Sequence, residues 1–239
     1  MHLAIDVGNT RIKLAVFKGK QLLAKVLFEQ WNTKEIVDFA YNHSVEKIIL
    51  SSVRLVEEKH ILALKQHADC LVLDHNTPIP ITNMYGTPET LGKDRLAAVV
   101  GAYYEYKAQN CLVIDAGTCI TFDLLTAQGM YLGGNIAPGV QMRLQAMHQF
   151  TAKLPLIQRG QQSQFWGIST ETAMRNGGQY GAVYEMEGFI SHCKQKFGQL
   201  TTVITGGDAD FFAKQLKTKI FVRPNLVLTG LIEILNYNI

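Results

Sequence analysis

Apolar and polar positions change period several times within the first thirty residues. Residues 3–5 are a short apolar run, Asp6-Val7-Gly8-Asn9-Thr10 reads as a turn, and Ile12, Leu14 and Val16 then alternate with Arg11, Lys13 and Ala15. A two-residue period of that kind predicts a half-buried strand. Lys18-Gly19-Lys20 turns the chain and residues 22–28 return, so an antiparallel hairpin or meander is expected. Thr33 is the expected cap of a helix over residues 34–42. Residues 45–52 read as a buried strand, 57–68 as a helix and 70–73 as a short strand. The stretch 76–88 carries Pro78, Pro80 and Pro88 and reads as a loop. Thr87-Pro88 then opens a predicted helix to about residue 107, proline being tolerated in a first turn.

From Cys111 the opening pattern recurs. Leu112-Val113-Ile114 leads into Asp115-Ala116-Gly117-Thr118, residues 120–125 follow as a strand, Gln128-Gly129 turns, and residues 131–134 return. Asp6-x-Gly8 is thus repeated as Asp115-x-Gly117, each between an apolar strand and an alternating one. Two strand–turn–strand units spaced by nearly half the chain predict two similar α/β halves, 1–110 and 111–239, rather than one decorated sheet. In the second half, Gly133 to Gly139 reads as a long glycine–proline turn, followed by a helix to about residue 150. Residues 168–197 read as mostly helical, loosened by Gly177, Gly178 and Gly181. A strand over 202–205, a helix after Gly206-Gly207-Asp208, a short strand over 220–222 and an apolar helix over 226–235 complete the pattern.

Composition narrows the function classes. The 239 residues are 47% hydrophobic and 18% charged with a net charge of +3, which excludes a disordered chain. No basic block is present, so nucleic acid is not the expected ligand. No apolar run approaches the roughly 18 residues of a membrane span, and no charged leader precedes an apolar stretch, so no membrane association is expected. Cys70, Cys111, Cys119 and Cys193 form no close pair of the kind zinc requires. These features together lead us to expect a reduced, cytoplasmic protein.

The candidate chemistry sits in the turns. Gly8 lets backbone approach a phosphate, Asn9 and Thr10 can donate hydrogen bonds, and Asp6 can hold a metal-bound water. An ordinary Asp/Asn/Gly turn fits that segment equally well. The second copy at Asp115–Thr118 favours two acidic phosphate turns that enclose a nucleotide triphosphate. Neither GxxxxGK[ST] nor GxGxxG occurs in the chain. Leu91-Gly92-Lys93-Asp94-Arg95 sets an acid and a base side by side near a helix start. Neighbours at i,i+1 point in different directions, which leaves one for a hydroxyl and the other for a carboxylate. A solvated helix face is the alternative.

Taken in order, Asp6-Val7-Gly8-Asn9-Thr10, Gly92-x-Asp94-Arg95, Asp115-x-Gly117-Thr118-x-x-Thr121-x-Asp123, Gly133-Gly134-x-Ile136-x-Pro138-Gly139, Thr151-Ala152-x-Leu154-Pro155 and Thr205-Gly206-Gly207 resemble the motif series of type III pantothenate kinases. The resemblance spans nearly the whole chain. It implies two actin-like (ribonuclease H-like) α/β halves, with mixed sheets flanked by helices and the nucleotide in the cleft between them. The implied activity is ATP-dependent phosphorylation of the primary hydroxyl of pantothenate, an alcohol-acceptor phosphotransfer. Alternatives are an accessory regulatory protein or another actin-like small-molecule kinase. By the same resemblance Asp6, Val7, Gly8, Asn9, Thr10, Arg11, Ile12 and Lys13 form the first ATP-binding segment, Thr118 belongs to the second, and Thr205-Gly206-Gly207 is the adenosine segment. Asp115 is the ligand of a monovalent cation, K+ or NH4+, and Mg2+ accompanies ATP. Tyr85, Gly92, Lys93, Asp94 and Arg95 bind pantothenate, with Asp94 as proton acceptor and Arg95 on a carboxylate or a phosphate. Thr170 is supplied by a partner subunit, which implies a homodimer. Cys119 stands where the family often has alanine, and Ser169 where asparagine is common.

Overall fold

The computed structural model describes residues 1–161 and 164–239. Gln162 and Ser163, in the polar stretch 159–164, lie outside the described residues. In chain order the elements are β1 (His2–Val7), β2 (Ile12–Lys18), β3 (Gln21–Phe28), α1 (Thr33–Asn42), β4 (Lys47–Ser52), α2 (Glu58–His67) and β5 (Asp69–Val72). There follow β6 (Thr82–Asn83), a 3-10 turn (Pro88–Thr90) and α3 (Lys93–Glu105). Next come β7 (Cys111–Ala116), β8 (Cys119–Leu125), β9 (Met130–Pro138), α4 (Val140–Gln149) and α5 (Thr170–Phe197). The last are β10 (Thr201–Thr205), α6 (Ala209–Ala213), β11 (Phe221–Val222) and α7 (Leu226–Tyr237). One sheet has the order β3-β2-β1-β4-β5, and the other β11-β10-β7-β8-β9-β6. With β6 set aside, the second order repeats the first strand for strand, β9-β8-β7-β10-β11. The internal repeat therefore extends from a short motif to the path of the chain.

Two compact units divide the chain. The first comprises Met1–Cys111, Leu124–Gly133 and Asn225–Ile239, and the second Leu112–Asp123 and Gly134–Pro224. In the first unit β1 pairs antiparallel with β2 and parallel with β4. Side chains alternate along β1. Leu3, Ile5 and Val7 join Ile36 and Ala40 of α1 and Leu64 of α2 in one apolar cluster, which leaves Ala4 and Asp6 on the opposite face. That face is covered by α7, which lies on β1, β2 and β4 and packs against α3. The second cover corrects the half-buried reading of β2. Ala15 and Phe17 are as buried as Ile12, Leu14 and Val16, and Lys13 alone on the strand's second face stays partly open.

The caps and turns differ from expectation at defined places. Asn32, rather than Thr33, caps α1, its side chain accepting from the Glu35 N–H at 3.3 Å. The Thr33 hydroxyl is engaged by Trp31 Nε1 (3.0 Å) and His60 Nδ1 (2.5 Å). The expected helix from Pro88 is broken, because Leu91 and Gly92 are extended (ψ 129° and 124°), so α3 begins only at Lys93.

In the second unit, Leu112, Ile114, Ile120 and Phe122 pack with Val140 and Leu144 of α4 and Met174, Ala182, Met186 and Ile190 of α5. The expected turn from Gly133 to Gly139 is strand as far as Pro138. At Gly134 a Cβ would overlap the Phe122 carbonyl oxygen on β8, so the glycine serves a close strand approach instead of a reversal. Helix α5 runs without a break through Gly177, Gly178 and Gly181. Its core contacts outweigh the roughly 1 kcal/mol that each interior glycine costs. Among the described residues no helix is long and apolar enough to cross a membrane.

Candidate active site

Asp6 and Asp115 occupy the same place in their sheets, each the last but one residue of a first strand. The tips that follow differ in length. Gly8 N–H donates to the Arg11 carbonyl (3.0 Å), closing a tip of Gly8, Asn9, Thr10 and Arg11, whereas Gly117 N–H donates to the Cys119 carbonyl (2.9 Å), closing a shorter one. Cys119 serves that tip through its backbone. Asn9, Thr10 and Arg11 are exposed, while the side chains of Val7 and Ile12 lie in the core and leave only backbone to face outward.

Asp6 is the most constrained charge of the first unit. It is 2% exposed and faces Lys13 across the hairpin, with Lys13 Nζ 3.3 Å from Oδ2. Its Oδ1 is buried without a hydrogen-bond partner in the protein. Burial raises its pKa above the ordinary carboxylate value, Lys13 opposes that shift, and the nearby carboxylate of Asp94 adds to it. A raised folded-state value means that the native protein holds this proton more tightly than the unfolded chain does. Stability is therefore lost as pH rises from about 4 through the raised value. Asp6→Asn removes that loss. The variant is expected to melt above the wild type at pH 7, with the gap closing as the pH falls toward about 4. Thermal melts between pH 4 and 8 check this, and a gap independent of pH would contradict it.

Tyr85, Gly92, Asp94 and Arg95 come together at the start of α3. Asp94 is in its first turn, where the helix dipole favours negative charge, and its Oδ1 accepts the Arg95 N–H at 2.8 Å. Arg95 is only 5% exposed, with its guanidinium 5.5 Å from the centre of the Tyr85 ring, a cation–π distance. Lys93 separates from this group. It lines a cavity of about 270 Å³ with His75, Pro78, Ile81, Glu89 and Leu91, and none of the other four substrate-binding candidates lines that cavity.

In the second unit three glycine-bearing segments meet. Gly139 N–H, at the start of α4, donates to the Thr118 carbonyl at 3.1 Å. Gly206 has φ +95° and its backbone lies so close to Asp115 that a Cβ would overlap the Asp115 carboxylate and the Ala116 carbonyl. Asp208 N–H donates to that same carbonyl at 2.9 Å. The expected phosphate turn, the glycine–proline segment and the expected adenosine segment thus form one cluster around a half-buried carboxylate. Arg159 pairs with Asp208 beside it, a contact that no sequence pattern announced. Thr170 is exposed at the first position of α5. Ser169 caps that helix and forms a reciprocal box with Thr172, work that asparagine does equally well.

Comparisons with known proteins identify the family. The family model described as type III pantothenate kinase matches residues 2–192. A type III pantothenate kinase of Bacteroides fragilis is 43% identical over 239 residues, covering 100% of this chain and 98% of its own length. Among solved structures, a Campylobacter jejuni protein described as a Baf family transcriptional activator aligns with a TM-score of 0.65 at 21% identity, covering 99% and 98% of the two chains. The inorganic polyphosphate/ATP-glucomannokinase of Arthrobacter sp. strain KM aligns at 0.51 and 14% identity, covering 98% of each, so the two chains share a fold. By the match over most of its length and the identity over all of it, this chain belongs to the type III pantothenate kinase family.

Proposed function

We propose that the chain transfers the γ-phosphoryl group of ATP to the primary hydroxyl of pantothenate, giving 4'-phosphopantothenate, the first step of coenzyme A biosynthesis. The observation that carries this reading is the grouping of Asp94, Arg95 and Tyr85 in the same unit as the buried Asp6–Lys13 pair, in a member of this family. The hydroxyl oxygen bonds to the γ-phosphorus and the bond to the bridging oxygen breaks, its electron pair leaving on ADP. The hydroxyl proton passes to Asp94. Because the transition state is loose, positioning and charge stabilisation dominate and a weak base suffices. Arg95 offers a planar fork to a carboxylate or a phosphate. The tip from Gly8 to Arg11 and Thr118 hold the ATP phosphates. Mg2+ arrives with ATP as part of the substrate, and the partnerless Asp6 Oδ1 suits one of its waters.

Asp115, beside backbone carbonyls, supplies oxygens of the kind that K+ or NH4+ takes. The working form is a homodimer in the cytoplasm, with Thr170 reaching the neighbour's substrate. What supports the dimer is the exposed apolar surface next to Thr170, where Trp166 and Ile168 are 79% and 81% exposed. Sedimentation that finds only monomer at micromolar concentration would remove that part.

A coupled assay of ADP release tests the reading. Release that depends on pantothenate, in the presence of Mg2+ and K+, is expected. Release unchanged when pantothenate is omitted overturns the reading. Exchanging K+ for Na+ is expected to lower the rate about tenfold, a loss of roughly 1.4 kcal/mol in transition-state stabilisation. An unchanged rate would withdraw Asp115 from its cation role.

A further inference from the structure

Tyr131 has no place in the chemistry above, yet it is one of the largest side chains that the fold buries completely. A strand residue there needs only bulk to fill the core, so a tyrosine points to use of its flat face or its hydroxyl. The face has a clear occupant. The rings of Tyr131 and Tyr85 are parallel within 4° with centres 6.2 Å apart, an offset stack.

The backbone brings the two rings together. β6 pairs in parallel with the start of β9, Asn83 opposite Tyr131, and the Met84 N–H donates to the Tyr131 carbonyl at 2.9 Å. The Asn83 side chain then accepts the Tyr85 N–H at 3.0 Å. Two residues beyond Tyr131, Gly133 holds φ +95°, and a Cβ there would stand 3.4 Å from Cδ2 of Tyr85. Tyr85 in turn meets the buried guanidinium of Arg95. The series Tyr131, Tyr85, Arg95 is one stack ending on a desolvated cation.

We propose that Tyr131, with Gly133 beside it, is a positioning platform that fixes the Tyr85 ring and through it the Arg95 fork for an acceptor carrying a carboxylate. The inference rests on the function proposed above. Losing the face removes the contribution an aromatic pair makes beyond its buried area, which raises the pantothenate KM about 2- to 12-fold. The ATP KM does not follow, because no atom of the platform lies in the expected ATP segments.

The test is steady-state kinetics, varying each substrate, on the wild type, Tyr131→Leu, Tyr131→Phe, Tyr85→Ala and the double variant Tyr131→Leu/Tyr85→Ala. Tyr131→Leu is expected to raise the pantothenate KM selectively, and Tyr131→Phe, which keeps the face, to restore it to within about twofold. Without the Tyr85 ring, the leucine substitution should add almost nothing. Equal losses toward both substrates, or effects that multiply in the double variant, would overturn the platform and leave Tyr131 a core residue. If Tyr131→Leu does not fold, Gly133→Ala, which strains the backbone beside the same ring at φ +95° without opening a cavity, takes its place, and the same selective rise is expected. A wild type without pantothenate-dependent turnover overturns the proposed function and the platform with it. A normal wild type with an unselective Tyr131→Leu or Gly133→Ala overturns the platform alone.

Discussion

Asp94→Asn is expected to lower kcat for pantothenate about 10²- to 10⁴-fold, the usual contribution of a positioned proton acceptor. The substitution is close to neutral for the fold. Asp94 Oδ1 accepts the Arg95 N–H at the start of α3, and an asparagine oxygen can accept that bond equally well. Only the ability to take a proton, and the charge that helps orient the attacking hydroxyl, are lost. The nearby Asp6 should also feel the change. Asp94 is one of the groups that raise the pKa of Asp6, so the variant should hold Asp6 ionised to somewhat lower pH. Rates measured at saturating pantothenate and ATP, with a melting curve as control, decide the matter. A kcat within about threefold of wild type would take Asp94 out of the proton-transfer role.

Gly230→Val is expected to cost the protein more stability than any other single change considered. On α7, a Cβ at Gly230 would overlap the carbonyl oxygen of Ala97 on α3 and stand 2.9 Å from the Gly101 nitrogen. The obstacle is backbone on both counts, so no rotamer change relieves it. Overpacking of this kind costs about 1–3 kcal/mol or more, or roughly 6–12 °C in Tm at the upper end for a chain of this size. The helix forced outward is the one whose first turn carries Asp94 and Arg95, so activity should fall along with stability. Gly177→Ala on α5 is the matched control, since a Cβ there meets nothing within 4 Å. It should leave the Tm unchanged or raise it slightly, alanine being the better helix former by about 1 kcal/mol. Equal melting temperatures for the two variants would show that α3 and α7 are not packed this closely.

Much of the candidate site was legible in one dimension because most of its pieces are turns. Gly8, Gly117 and Gly206 sit where the chain reverses or approaches itself, and Asp6 and Asp115 announce themselves by repetition. The order of these motifs also named the family, which the match over residues 2–192 establishes. Side-chain grouping was less legible. Lys93, Asp94 and Arg95 are neighbours in sequence, yet Lys93 faces a cavity that the other two do not line. Successive helical residues diverge by about 100°, and until α3 was seen to begin at Lys93 the direction of each remained open. Arg159 and Asp208 pair across a long interval of chain, and no local pattern predicts such a contact.

Periodicity and punctuation in the sequence were enough to place most strands and helices in order and to show the repeat of Asp6-x-Gly8 at Asp115-x-Gly117, but not β6, which lies in the stretch 76–88 that reads as a loop. The elements so placed are encoded by which residues must leave water and where the backbone must turn. Three matters waited for the tertiary structure. Gly133 and Gly134 look like a turn, but the approach of β8 makes them strand. The last helix follows the second half in sequence, but its apolar surface packs on the first unit, covering the face of β1 that carries Asp6. Tyr131 reads as one more apolar strand residue until Tyr85 is found stacked on it. All three depend on partners in other elements, and a local pattern reports how strongly a residue seeks burial without reporting what it will be buried against.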